Sequence, residues 1–131
     1  MAITRSVKDK LKNHETVFGT FYKLNSAIAT EMLGWAGFDF IVIDGEHSPI
    51  GYESTENIIR TAENVDLSTI VRVPCASEEH IFHALDSGAV GVQTPNMTSV
   101  EQFRESVSSC KYYPLGTYML STSSSTVRAT L

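Results

Sequence analysis

Short runs rich in Val, Ile and Phe alternate along this sequence with stretches of helical period, and that alternation restricts the fold to α/β. The strand signals fall at 17–22, 39–44, 69–73 and 89–94, and such apolar runs suit a buried parallel sheet. Between and after them lie four apolar stripes: Ile28, Met32, Trp35 and Ala36; Ile58, Ile59 and Ala62; Ile81, Ala84 and Leu85; and Val100, Phe103, Val107 and Cys110. Each is expected to pack on the sheet. Thr98 and Glu101 have the spacing of a capping box at the start of the last helix, and Gly37 and Gly88 stand where two helices need a left-handed residue to stop. A polar lead-in helix at 6–14 precedes four consecutive βα units. That is about half of a (β/α)8 TIM-barrel type fold, which needs eight units and typically ~250 residues. The competing open, doubly wound sheet lacks a fingerprint, because VFGTFYKLNSA after the first strand has no GxGxxG, and no P-loop is present.

The domain is assigned to 1–116. From 117 to 131 the composition changes, with six Ser/Thr in a row at 121–126, and a solvated, poorly ordered tail is expected.

Composition removes several classes of function. Fifteen acidic against ten basic residues give a net charge of -5, with no Lys/Arg stripe to track phosphates, so nucleic acid is not an expected partner. The longest uninterrupted apolar stretch, Phe40 to Ile43, is far below the ~20 residues of a spanning helix. The first twelve residues mix Arg5, Lys8, Lys10 and Lys12 with Asp9 and carry no apolar core, so no secretory signal is read there and the expected compartment is cytoplasmic. Cys75 and Cys110 form no CxxC motif and are expected to be small buried hydrophobes.

Parallel α/β folds gather functional groups at the carboxyl ends of their strands. The second strand ends in Asp44-Gly45-Glu46-His47-Ser48-Pro49, three ionisable side chains within four residues. Gly45 allows a sharp turn and Pro49 stiffens the exit. The alternative is an acidic loop that caps the next helix. The third strand ends in Val71-Arg72-Val73-Pro74, and an Arg in an apolar strand must aim its guanidinium at something polar. Either it offers a fork to a carboxylate ligand, or it closes a structural ion pair with Asp44 or Glu46. Of the four histidines, His14 sits in the lead-in, while His80 and His83 share a helix face without the further ligands a metal site needs, so a solvated face is expected there. His47 remains. Asp86, just before the fourth strand, is either a solvated helix end or a carboxylate that orients an imidazole.

Taken in order, GTFYKLNSAIATEMLGWAGFDFIVIDGEHSP, IVRVP, ALDSGAVGVQTP and KYYPLG resemble the HpcH/HpaI aldolases, the metal-dependent class II pyruvate aldolases. The resemblance runs from about Leu11 to Gly116. It implies a (β/α)8 barrel, commonly a hexamer with exchange of a terminal helix, and a lyase that joins or splits pyruvate and an aldehyde through a 4-hydroxy-2-oxo acid. It implies His47 as catalytic base, Asp86 as its dyad partner, and Arg72 as the group that binds the pyruvyl end and stabilises the enolate. Asp44 and Glu46 fall beside the metal site without ligating the ion, and Phe21 near the aldehyde pocket. The cofactor implied is a divalent ion, Mg, Mn or Co.

Two departures accompany the resemblance. The metal ligands of this family, a Glu and an Asp on later barrel strands, have no counterpart in these residues, and after YYPLG the pattern gives way to Thr117-Tyr118-Met119-Leu120. The chain therefore reads as the amino-terminal half of such an aldolase, needing self-association or a complementary second half. Alone it is expected to turn over negligibly. A non-catalytic interaction fragment, and a relative that forms citrate from an oxaloacetate-derived enolate, are the alternatives.

Overall fold

The computed structural model describes residues 7–118. In chain order the elements are α1 (Val7–Lys12), β1 (Gly19–Tyr22), α2 (Ala27–Trp35), β2 (Phe40–Asp44), α3 (Tyr52–Glu63), β3 (Ser68–Arg72), α4 (Glu78–Asp86), β4 (Gly91–Gln93) and α5 (Val100–Ser109). The four strands form one parallel sheet in the order β1-β2-β3-β4. A doubly wound sheet reverses its strand order at a switch point. No reversal occurs here, and successive helices pack on one another as a single layer, so the four βα units form a partial wall of a (β/α)8 barrel.

The core lies between sheet and helices. Alternate residues Ile41 and Ile43 of β2, with Val71 and then Val73 along β3, meet Ile58, Ile59 and Ala62 of α3 and Ala84 of α4. Period 2 on the strands and period 3.6 on the helices bring these side chains to one surface. Ser26, Ser77 and Ser99 cap α2, α4 and α5, each side chain accepting a hydrogen bond from the backbone N–H three residues on. Gly37 and Gly88 adopt φ of 89° and 101° after α2 and α4, the left-handed stop expected there. At the amino edge of β2, Asp39 binds Lys10 of α1 and accepts from the Phe18 N–H at 2.8 Å, and the Lys10 hydrogen bond holds its carboxyl below the usual range.

Several expectations need correction. In the stripes of α3 and α4, Ile58, Ile59, Ala62, Ile81 and Ala84 are buried and Leu85 is partly so, but Ile28, Met32 and Trp35 of α2 and Val100, Phe103 and Val107 of α5 are exposed. Helix α2 is apolar on nearly every side, and Ala29, Thr30 and Leu33 are the residues it turns inward. On α5 it is Ser106 and Ser109 that are buried. A periodic stripe identifies a face without saying whether a neighbour is present to cover it. The cap of α5 sits one residue later than expected: Ser99 is the cap, and the Gln102 side chain accepts from the Thr98 N–H at 2.9 Å. Cys75 and Cys110 are both exposed, because one lies in the loop after β3 and the other ends the outward face of α5.

The run 121–126 lies outside the described residues. Tyr118, assigned by composition to the solvated tail, is buried and makes tilted ring contacts with Phe82 and Tyr112. Among the described residues no helix is long and apolar enough to cross a membrane.

Candidate active site

Asp44 closes β2 at the carboxyl edge and is completely buried. Its Oδ1 accepts from Arg72 Nε at 3.0 Å and from the backbone N–H groups of Glu46 and His47 at 3.1 and 2.9 Å. Its Oδ2 accepts from Arg72 Nη2 at 2.6 Å and lies 3.3 Å from Lys23 Nζ. The register pairs Asp44 directly with Arg72, which is why the fork closes without distortion. This bond holds the Asp44 carboxyl far below the usual carboxylate range, against the opposing effect of burial, with help from the two backbone donors and Lys23.

The loop after β2 is built on Asp44. Gly45 N–H donates to the Arg72 carbonyl at 2.8 Å, and a Cβ on Gly45 would stand 2.7 Å from that oxygen. Its glycine is required for close approach to β3 rather than for a left-handed turn. Ser48 Oγ donates to the Asp44 carbonyl and folds the loop back. The cap of α3 is Gly51, with no side-chain bond, so neither Asp44 nor Glu46 caps that helix.

Around this pair the other rim residues assemble. Glu46 Oε2 lies 3.5 Å from both Arg72 Nε and His47 Nε2. The Arg72 Cζ sits 4.8 Å from the centre of the Phe21 ring. His47 is largely exposed, whereas Arg72 has 17% of its side chain in solvent. Both alternatives weighed for Arg72 are present together: it makes the ion pair with Asp44, and that pair uses two of the five N–H groups a guanidinium carries. The fork is fixed in orientation with donors left for a ligand.

Asp86 is not part of this cluster. It ends α4, which runs back to the amino edge of the sheet, and its carboxylate accepts from the Tyr118 hydroxyl. Burial and Asp86 push that hydroxyl well above the usual tyrosine range. His80 and His83 are not simply solvated, since Tyr52 hydrogen-bonds His80 Nδ1 at 2.5 Å and stacks on His83 with centroids 4.0 Å apart. An open cleft of about 420 Å³ adjoins the rim between the loops after β3 and β4, lined by Pro74, Cys75, Ser77, Pro95, Asn96 and Met97.

The chain matches the HpcH/HpaI aldolase/citrate lyase family over residues 17–128, past the Gly116 at which the motifs end. The chain belongs to the HpcH/HpaI aldolase/citrate lyase family. It is 37% identical over 109 residues to a hydroxypyruvate/pyruvate aldolase of Roseobacter denitrificans, covering 83% of this chain and 43% of that protein. It is 36% identical over 107 residues to a 2-dehydro-3,6-dideoxy-6-sulfogluconate aldolase of Pseudomonas putida, covering 82% and 42%. The crystal structure of an HpcH/HpaI aldolase from Desulfitobacterium hafniense superposes with a TM-score of 0.84 at 31% identity, over 88% of this chain and 45% of that one. A citrate synthase, SbnG, superposes at 0.83 with 35% identity, over 88% and 47%. The chain thus spans somewhat under half the length of the relatives it matches.

The family includes metal-dependent aldolases. Among the described residues no group of three or more His, Cys, Asp or Glu side chains is arranged to hold an ion. Both Asp44 oxygens are engaged by Arg72. These residues do not by themselves fit a divalent site.

Sequence reasoning also passed over Lys23. Its signal is the criterion used for Asp44 and Arg72: it stands one residue past the end of a strand, at the carboxyl edge.

Proposed function

We propose that the protein bearing this chain is an aldolase that reversibly cleaves a 4-hydroxy-2-oxo acid to pyruvate and an aldehyde. The observation that supports this most is the Asp44-fixed Arg72 fork, with Glu46, His47 and Phe21 beside it on one rim. In cleavage, His47 takes the proton of the 4-hydroxyl. The C3–C4 bond breaks, its electron pair passes into the 2-oxo group as the enolate of pyruvate, and C4 leaves as the aldehyde. The free N–H groups of Arg72 bind the carboxylate and the developing enolate oxygen, already oriented before the charge appears. Water protonates C3 to give pyruvate, and the hydroxide left takes the proton from His47. Relatives named hydroxypyruvate/pyruvate aldolase and 2-dehydro-3,6-dideoxy-6-sulfogluconate aldolase support the substrate class. The similarity to a citrate synthase favours one second reading, attack of the enolate of an acyl thioester on the 2-oxo carbon of oxaloacetate.

The test is pyruvate release from 4-hydroxy-2-oxo acids, followed by NADH oxidation with lactate dehydrogenase in the presence of Mg, Mn or Co. It is run on the chain alone and on the chain fused to the carboxyl-terminal half of the Roseobacter aldolase. Negligible release by the chain alone is expected, with release by the fusion that drops by about 10²-fold or more in His47→Asn. A folded fusion that is silent with these acids, yet consumes oxaloacetate with an acyl-CoA, would replace this reading with the second.

A further inference from the structure

The pairing of Tyr22 with Ile43 carries Lys23, one residue on, to the level of Asp44. Asp44 pairs with Arg72, and Arg72 with Gln93. The carboxyl rim is therefore a row across four strands: ammonium, carboxylate, guanidinium, amide. Its two cations differ in how firmly they are held. Arg72 is nearly buried, closed on both Asp44 oxygens and backed by Phe21. Lys23 has 52% of its side chain in solvent and meets Asp44 through one contact at 3.3 Å. Asp44 keeps two bonds from Arg72 and two from backbone N–H groups if Lys23 leaves.

Lys23 is thus not needed to neutralise the carboxylate it touches. A lysine is a point charge on a flexible stem, suited to follow a ligand rather than to fix a geometry. Strands ~4.8 Å apart set the backbones of Lys23 and Arg72, two strands from each other, at about 10 Å. Their side chains converge on the same Oδ2 and narrow that gap to the reach of a short carbon chain.

We propose that Lys23 is a specificity-determining residue that binds a terminal carboxylate at the far end of a dianionic 4-hydroxy-2-oxo acid while Arg72 takes the pyruvyl end. This rests on the aldolase reading above. It assigns to β1 a preference for acidic over neutral aldehydes.

The test titrates the 131-residue chain with two 2-oxo acids of equal chain length, followed by NMR shifts of rim amides. The probes are 2-oxoglutarate, which ends in a carboxylate, and 2-oxopentanoate, which ends in a methyl group. 2-Oxoglutarate is expected to bind about fivefold more tightly, the scale of one partly exposed ion pair. Lys23→Gln should erase that ratio while leaving 2-oxopentanoate within twofold of its original affinity, and Lys23→Arg should retain the ratio. If Lys23 serves only to balance Asp44, Lys23→Gln weakens both probes alike and the proposal fails. Equal binding of the two probes by the unmodified chain also overturns it while leaving the aldolase reading intact. Failure of either probe to shift any rim amide overturns the proposal, and pyruvate release by the fusion decides the aldolase reading separately.

Discussion

The middle and the ends of this half-wall use apolar residues in opposite ways. In the middle, α3 and α4 bury Ile58, Ile59, Ile81 and Ala84 against β2 and β3. At the ends, α2 and α5 turn Ile28, Met32, Trp35, Val100, Phe103 and Val107 to solvent, next to edge strands β1 and β4. The middle is a finished core, and the ends are surfaces of the kind that neighbouring elements cover. A residue's hydrophobicity therefore says little about its contribution to this chain's stability until its position along the row of strands is known.

Five measurements would break or sharpen that contrast. The largest effect is expected at the rim of the middle: Asp44→Ala strands Arg72 without its partner and should cost about 3–5 kcal/mol in urea unfolding. Ile59→Ala should follow at about 2–5 kcal/mol, since α3 packs it fully. Phe103→Ala, despite its larger side chain, should stay within about 0.5 kcal/mol in the same chain. A Phe103→Ala cost equal to that of Ile59→Ala would erase the distinction. Acid should act on the middle through Asp44. Its folded carboxyl lies far below the ~3.9 of an unfolded Asp, so the stability it adds is complete above that value and is lost as pH falls toward the folded pKa. Unfolding free energy measured between pH 5 and pH 2 should fall less steeply in Asp44→Asn. Ser77→Ala should fall between the two apolar truncations, at about 1 kcal/mol for a lost cap on α4.

The sequence made the middle readable and the ends misleading for the same physical reason. Strand and helix periods report which residues share a face, and in α3 and α4 that face meets a sheet. In α5 the period is just as clear and α2 is apolar on nearly every side, but burial depends on neighbours the local pattern does not encode. At the site, strand ends directed attention to Asp44, Glu46, His47 and Arg72, and the structure does bring these together. Two things were out of reach. Asp86 is adjacent to β4 in sequence, yet the direction of α4 carries it to the opposite edge, where it binds Tyr118. Lys23 was missed because its neighbours in space come from strand register, which spacing along one chain does not supply.

The Phe21 ring set against the Arg72 guanidinium gives the site an internal spectroscopic probe. A guanidinium held 4.8 Å from an aromatic centre places its protons in the ring's magnetic field. The Arg72 Nε–H, fixed by Asp44 at 3.0 Å, should give a sharp side-chain resonance displaced by the ring current. Because half of the Phe21 side is open to solvent, any molecule that seats on the rim must tilt or cover that ring. Occupancy of the site is then legible in one nitrogen-bound proton, without a label and without waiting for turnover.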